Sequence, residues 1–211
     1  MKIYNVEQGS DEWMALRAGL PTASEFSKII TPKTHAFSSS AKPYAVKLAV
    51  EMILGCPLET DLSHNQDVQR GIALEETAAQ AYEFETAEIA QRVGFITDDD
   101  GTYGASPDRL IGENGLLEIK CPRPEKHAHY MLNGFGMDYF VQVQGQLLVT
   151  GRQWCDRYSY CPGLRPYTER VERDEDFIAA LKGALAQFHE MKLDNLRKLQ
   201  SKENDMQEMP A

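Results

Sequence analysis

The feature that most constrains the fold is a series of short apolar runs between residues 92 and 122, in the middle of a 211-residue chain. The clusters DDDG and GENG, which separate the runs, are strong turn signals. This pattern predicts a meander of three strands. The runs are RVGFITDDDG, TYGASPDRLIG and GLLEIKCP.

Helical patterns lie on both sides of these runs, so the sequence predicts an α/β fold in which helices flank a mixed sheet. We assign residues 1–200 to a single domain and the polar residues 201–211 to a flexible tail. WCDRYSYC and YTERVER predict two more strands. The predicted helices begin at Ser10 and Pro21 and continue with AKPYAVKLAVEMILG, DVQRGIALEETAAQAYEFET, residues 127–151 and DEDFIAALKGALAQFHEMKLDNLRKLQ.

Composition excludes several classes of protein. The chain has no apolar run of about eighteen residues, and its N-terminus lacks the basic-then-apolar order of a signal peptide, so we expect a cytoplasmic protein without membrane contact. Its four cysteines form no CxxC pair, which disfavours disulfides, a zinc ribbon and an iron–sulfur cluster. A net charge of −10 weighs against DNA binding, although carboxylates around a metal also make a nuclease acidic.

The run SPDRLIGENGLLEIKCP places acidic and basic side chains inside a predicted hairpin. Because side chains alternate along a strand, Glu118 and Lys120 share one face, and the antiparallel partner strand can bring Asp108 beside Glu118. Two carboxylates suit Mg²⁺, which prefers oxygen ligands and keeps several waters. Lys120 can stabilise phosphate charge or orient a water, and a lowered pKa would let it accept a proton. Alternatively, Asp108 caps a turn and the other two form an exposed ion pair.

Five motifs together resemble the phage lambda-type alkaline exonucleases, the YqaJ-like viral recombinase family. The resemblance implies a restriction-endonuclease-like PD-(D/E)xK core with a mixed central sheet flanked by helices. It also implies that a metal-binding aspartate falls on Asp108, a glutamate on Glu118, a carbonyl ligand on Ile119 and the catalytic lysine on Lys120. The motifs are GSDEWMALRAGLPTAS, RGIALEETA, GASPDRL, GLLEIKCP and VQVQGQLLVTG.

The motif RGIALEETA implies a further catalytic and metal-binding carboxylate on the long predicted helix. The acidic position of its GxxxE pattern falls on Glu75, with the neighbouring Glu76 as the alternative. A helix packed on the sheet can project one such carboxylate toward the hairpin. Either residue alone is equally compatible with an ordinary solvated helix surface.

The resemblance also implies a pocket for the 5′ phosphate of a DNA end. Its positions fall on Arg17, Ser24, Ser106 and Gln142. A guanidinium offers a forked donor that matches phosphate oxygens, and hydroxyls near a helix start add further donors. Taken singly, each residue could instead serve the surface or the backbone. Gln144 is expected to face elsewhere, and Trp13 is predicted to belong to the core.

The family resemblance implies a function as well as a site. It implies a Mg²⁺-dependent exonuclease, with Mn²⁺ as a possible substitute and two ions per site, that degrades one strand of linear duplex DNA from its 5′ end. The implied products are 5′-mononucleotides and a 3′ single-stranded overhang for recombination. The implied partners are duplex DNA ends, a single-strand annealing protein and two further copies in a toroidal homotrimer. Alternatives are a site-specific endonuclease of the same superfamily and a non-catalytic DNA-end-binding subunit.

Overall fold

A computed structural model describes residues 1–58 and 65–207, with side chains as far as Lys202. Most of the predicted polar connection ETDLSHNQ lies outside these residues. The described helices are α1 (Asp11–Arg17), a 3₁₀ helix (Ala23–Lys28), α2 (Ala41–Leu54), α3 (Gln66–Thr86), α4 (Pro124–Asn133), α5 (Phe140–Thr150) and α6 (Glu175–Gln207). The strands are β1 (Lys2–Tyr4), β2 (Ala90–Arg92), β3 (Phe95–Thr97), β4 (Gly104–Ala105), β5 (Arg109–Ile111), β6 (Gly115–Lys120), β7 (Trp154–Ser159) and β8 (Tyr167–Glu172).

The larger sheet has five strands in the order β2-β5-β6-β7-β8. Strands β6 and β7 are parallel, and the other neighbours are antiparallel. A parallel pair needs a crossover connection, which α4 and α5 provide. The predicted α/β fold with a mixed sheet between helices is therefore confirmed.

The predicted three-strand meander is wrong, because its runs are divided between two sheets. Strands β3 and β4 form a separate three-stranded sheet with β1, whose register pairs Lys2 with Thr97. The division occurs at Gly94, where an added Cβ would lie 2.4 Å from the main-chain oxygens of Tyr4 and Val6. The N-terminal segment therefore packs directly against Gly94, and β3 pairs with β1 and β4 instead of joining the sheet of β2 and β5. No local pattern predicted strand β1.

Helices cover both faces of the larger sheet and create two apolar clusters. On one face, α3 packs Tyr82 against Leu117, Ile119 and Tyr158. On the other face, the buried helix α5 packs against the sheet, the 3₁₀ helix and α6. Strand β6 is buried from both sides, and its polar residues therefore need partners inside the fold.

Most predicted helices are present, with differences at their ends. The Ser10 hydroxyl accepts the Trp13 N–H at the start of α1. The helix predicted after Pro21 is a 3₁₀ helix, and residues 127–151 are helical but interrupted between α4 and α5. At this interruption Gly134 and Tyr139 have positive φ angles of 73° and 60°.

The final helix α6 extends to Gln207 and so includes the first part of the predicted flexible tail, whereas residues 208–211 lie outside the described chain. Flexibility of the tail stays a prediction. Within residues 1–58 and 65–207, no helix combines the length and the apolar character that crossing a membrane requires.

Candidate active site

The hairpin of β5 and β6 brings the predicted acidic and basic residues together. Its register pairs Arg109 with Leu117, so Asp108, one position earlier, lies beside Glu118. The Asp108 Oδ2 atom accepts a hydrogen bond of 2.6 Å from the Ile119 N–H. Because the N–H and C=O of one strand residue point toward the same neighbour, the Ile119 carbonyl also lies on the Asp108 side.

Glu118 is 1% exposed and accepts hydrogen bonds at both carboxylate oxygens. Its Oε1 atom accepts from Lys120 Nζ at 2.5 Å and from Gln142 Nε2 at 2.6 Å. Its Oε2 atom accepts from Gln146 Nε2 at 2.6 Å. Gln146 was not predicted, although its spacing of four from Gln142 on a helix places both amides on one face. The pair of Lys120 and Glu118 joins a half-buried ammonium to a buried carboxylate, which differs from the exposed pair of the alternative interpretation.

The charge balance of the cluster favours a protonated lysine. Burial lowers the pKa of Lys120, but the carboxylates of Glu118 and Asp108 outweigh burial and raise this pKa above its usual range. The Lys120 ammonium also lies 4.4 Å from the centre of the Tyr139 ring. This shift is opposite to the lowered pKa that would let Lys120 accept a proton, which stays a prediction. In this arrangement Lys120 donates a hydrogen bond to Glu118.

The surroundings of Asp108 favour its neutral form, whereas those of Lys120 favour its charged form. Burial and the neighbouring Glu118 charge raise the pKa of Asp108 well above its usual range, with a smaller contribution from Glu75. These carboxylates repel one another, and Lys120 compensates only part of the charge. A divalent cation between the carboxylates would relieve this repulsion.

Glu75 and Glu76 lie on α3 and have different surroundings. Glu75 lines a cavity of about 560 Å³, here called the carboxylate cavity, together with Asp108, Ile119 and Lys120. Glu76 does not line this cavity, and its carboxylate hydrogen-bonds Arg92, which lowers its pKa. The geometry therefore favours Glu75 over Glu76 as the residue nearer to a metal.

The oxygen atoms at this site fit Mg²⁺, which needs only a few ligands from the protein. Carboxylate oxygens of Asp108 and Glu118 and the carbonyl of Ile119 are hard oxygen donors, and Mg²⁺ commonly binds one or two carboxylates and keeps several waters. No group of three acidic, histidine or cysteine side chains converges as a ready metal cage within the described residues. Part of the coordination shell would thus come from water and substrate phosphate.

Three of the four predicted phosphate-binding residues are connected around Trp13. Trp13 Nε1 donates to Ser106 Oγ at 2.8 Å, and the Arg17 guanidinium lies 4.0 Å from the Trp13 ring centre. Arg17 Nη2 lies 3.4 Å from Thr22 Oγ1, which is 3.3 Å from Ser24 Oγ. The prediction that Trp13 belongs to the core is wrong, because its side chain is partly exposed.

The fourth residue, Gln142, contacts Glu118 instead. Its amide hydrogen-bonds Glu118, and no contact with Arg17 or Ser24 is among the hydrogen bonds of the described residues. Gln144 is buried and hydrogen-bonds the Glu172 carbonyl and the Asp174 N–H, which confirms that it faces elsewhere. Gln142 and Gln144, two positions apart on α5, therefore point to opposite sides of the helix.

A second cavity adjoins the carboxylate cavity. It has a volume of about 950 Å³ and is here called the N-terminal cleft. The two cavities share Val68, Ile72 and Glu75 of α3 as a common wall. Both cationic and acidic side chains line this cleft. The cationic ones are Arg17, Lys28 and Lys47, and the acidic ones include Glu7, Glu25 and Glu75.

The family follows from a comparison with known domains. Residues 12–153 match the YqaJ-like viral recombinase domain. The chain therefore belongs to the YqaJ-like viral recombinase family. No curated protein matches the chain significantly.

Solved structures agree with this assignment. The chain is similar to an alkaline exonuclease, LHK-Exo, from Laribacter hongkongensis, with 32% identity and a TM-score of 0.83 over 93% of this chain and 100% of that chain. LHK-Exo in complex with dAMP matches at the same identity and coverage with a TM-score of 0.82. A phage related exonuclease from Haemophilus somnus 129PT shares the fold at 14% identity, with a TM-score of 0.70 over 85% of this chain and 96% of that chain.

Proposed function

We propose that the protein is a Mg²⁺-dependent exonuclease that degrades one strand of linear duplex DNA from its 5′ end. The kind of enzyme, an exodeoxyribonuclease, follows from the family and from the similarity to an alkaline exonuclease. The metal, the polarity and the products are the proposal. The observation that carries it is the meeting of Asp108, Glu118 and Lys120 beside the cleft that Arg17 lines.

The carboxylate cavity supplies what phosphodiester hydrolysis requires. Bound Mg²⁺ would be held by Asp108, Glu118 and the Ile119 carbonyl, with Glu75 nearby, and would supply Lewis-acid stabilisation and an activated water. Lys120 donates a hydrogen bond to the phosphate as negative charge develops there. Gln142 and Gln146 fix the Glu118 carboxylate, so that its position does not depend on the substrate.

The N-terminal cleft supports the proposed polarity. Arg17 can bind a terminal phosphate through two parallel donors, and the hydroxyls of Ser24 and Ser106 add hydrogen bonds. A terminal phosphate in the cleft and a scissile phosphate in the carboxylate cavity would lie on either side of the α3 residues that both cavities share. Binding the 5′ end in this way would place the next phosphodiester bond near Lys120, and cleavage would release a 5′-mononucleotide.

The remaining parts of the proposal rest on the family resemblance. They are two Mg²⁺ ions per site with Mn²⁺ as a substitute, a toroidal homotrimer around the DNA, and an annealing protein that receives the 3′ overhang. A ring of three subunits would explain how an acidic protein holds DNA, since the cationic residues of each copy would face one channel.

Linear duplexes labelled at either end test this function. With Mg²⁺, the protein should release a labelled mononucleotide at once from a 5′-labelled strand, whereas a 3′ label should appear only late. A closed circular duplex should stay intact. Cleavage of the circle would favour the site-specific endonuclease, and binding of linear ends without release would favour the non-catalytic subunit.

A further inference from the structure

Arg109 is a buried charge that no predicted role explains. It begins β5 directly after Asp108, and its side chain is 5% exposed. A buried guanidinium is costly unless hydrogen bonds and opposite charges compensate its lost hydration. The partners of Arg109 therefore indicate why the chain keeps a charge at this position.

The Arg109 guanidinium connects the two elements that carry proposed metal ligands. Its Nη1 atom donates to Glu75 Oε1 at 2.7 Å and to the Asp108 carbonyl at 2.6 Å. Its Nη2 atom donates to Glu76 Oε2 at 3.0 Å. One side chain thus fixes α3 and the main chain at Asp108 relative to each other.

A comparison with Arg92 shows that neutralising the charge of Glu76 does not account for all the contacts of Arg109. Arg92 is the cross-strand partner of Arg109, and like charges in such a pair repel each other. Glu76 Oε2 accepts hydrogen bonds from both arginines. The distance is 2.5 Å to Arg92 Nη2 and 3.0 Å to Arg109 Nη2. Glu76 therefore offsets this repulsion, whereas Nη1 of Arg109 is directed to Glu75 and Asp108. Arg92 is 68% exposed and belongs to the surface.

We propose that Arg109 is a positioning residue that holds Glu75 in the orientation needed for cation binding; this inference rests on the proposed function. With Oε1 held by Arg109, the other oxygen of Glu75 remains for the carboxylate cavity, which Glu75 lines beside Asp108. A lysine cannot replace this role, because one ammonium lacks the fixed fork that reaches two carboxylates and a carbonyl together.

Binding of Mn²⁺ to the full chain without DNA tests the proposal independently of activity. Free Mn²⁺ is measured by electron paramagnetic resonance during a titration of the wild type and of Arg109→Gln. Loss of a residue that orients a metal ligand typically weakens metal binding by about 10-fold or more, and we expect this increase in Kd for Arg109→Gln. The matched control, Arg92→Gln, should bind Mn²⁺ like the wild type.

Activity as a function of Mg²⁺ gives a second readout. For Arg109→Gln, the Mg²⁺ concentration at half-maximal activity should rise by about 10-fold. The maximal rate should recover largely at high Mg²⁺, because Arg109 acts through the ligand and not on the substrate. A purely structural role would lower Tm and leave this midpoint unchanged. If Arg109→Gln does not fold, Arg109→Lys is tested by the same criteria.

Two outcomes overturn the inference. One is unchanged Mn²⁺ affinity in the folded Arg109 variant, and the other is an equal loss in Arg92→Gln. Failure of the proposed function looks different, because it appears in the wild type, which would then release no nucleotides from the ends of linear duplex.

Discussion

The carboxylate cavity and the N-terminal cleft share a wall on α3, but they are held in place by different means. Behind the carboxylate cavity, Glu118 lies on the buried six-residue strand β6 and receives hydrogen bonds from three side chains, including that of the cavity residue Lys120. Arg17 lies on the seven-residue helix α1, which has no buried residue. A 2.8 Å hydrogen bond from Trp13 to Ser106 joins this helix to the loop before Asp108.

This difference matches the ligands that each region is proposed to bind. A divalent cation needs oxygen atoms fixed at about 2.1 Å, so its ligands gain from a rigid sheet. A DNA end is large and must move forward after every cleavage. Its binding site therefore does not need the rigidity of a buried strand and can lie on a surface helix. The turn that follows α1 is held by hydrogen bonds with two other helices and is here called the anchor of the cleft.

That anchor is Gly19, which is held from two helices. Its N–H donates to Glu51 of α2 at 3.0 Å, and its carbonyl accepts from Lys192 of α6 at 2.7 Å. Gly19 has a φ of 72°, and an added Cβ would lie 2.4 Å from Met52 Cγ. Only glycine fits this position without strain.

Replacing Lys120 should have the largest effect and should leave the cleft intact. Loss of a donor to the developing phosphate charge is expected to lower kcat for nucleotide release by about 10²–10³-fold. Binding of 5′-phosphorylated duplex should change little in Lys120→Ala, because Arg17 and Ser24 remain. Release kinetics and duplex binding are measured separately, with the exposed Lys198→Ala as control. Unchanged release in Lys120→Ala would contradict the catalytic assignment.

Lys192 should make the stability of the anchor depend on pH. Burial lowers the pKa of Lys192 to about 8, whereas an unfolded lysine titrates at about 10.4. Between these values the unfolded chain binds more protons, so the free energy of unfolding rises with pH by about 2 kcal/mol from near pH 7.5 to near pH 9.5.

Lys192→Met should lack this rise, and urea unfolding of both proteins at the two pH values measures the difference. The comparison with the variant removes the contributions of other groups that titrate in the same range. An identical pH dependence in both proteins would show that Lys192 stays protonated, and that the anchor is not sensitive to pH.

Replacing Arg17 should affect discrimination between DNA ends rather than chemistry. A hydrogen bond to a charged group contributes about 1.5–3 kcal/mol, so Arg17→Ala should reduce the preference for 5′-phosphorylated over 5′-hydroxyl ends by about tenfold or more. Steady-state rates on the two substrates, compared with Arg197→Ala on α6, measure this preference. An equal loss on both ends would remove the proposed role of Arg17.

Trp13 gives the smallest and sharpest test of the division between the two regions. Trp13→Phe keeps a ring beneath Arg17 but removes the donor to Ser106, which is worth about 1 kcal/mol. The preference for phosphorylated ends should fall about fivefold, with an unchanged maximal rate. A lower maximal rate with an unchanged preference would mean that Trp13 serves the carboxylate cavity.

The carboxylate cavity could be predicted from sequence because its geometry is local. Asp108, Glu118 and Lys120 lie within one hairpin, and strand alternation alone places the last two on one face. Glu75 could not be derived in this way. Its place depends on how α3 packs across the sheet, and the sequence prediction came from the family motif.

Contacts between distant parts of the chain account for the predictions that were wrong. Strand β1 pairs with β3 across more than ninety residues, as Lys2 with Thr97 shows, and no local pattern reports such a pairing. Trp13 has the hydrophobic character of a core residue, but its partner Ser106 lies far along the chain. Arg109 follows Asp108 directly, yet its partners on α3 appear only in the folded structure.

Crystals of the protein soaked in Mn²⁺ would reveal the position of the ion, because manganese scatters anomalously. We expect a peak at about 2.2 Å from carboxylate oxygens of Asp108 and Glu118 and from the Ile119 carbonyl. Crystals of active protein in which Mn²⁺ binds elsewhere, with these oxygens left without an ion, would contradict this expectation.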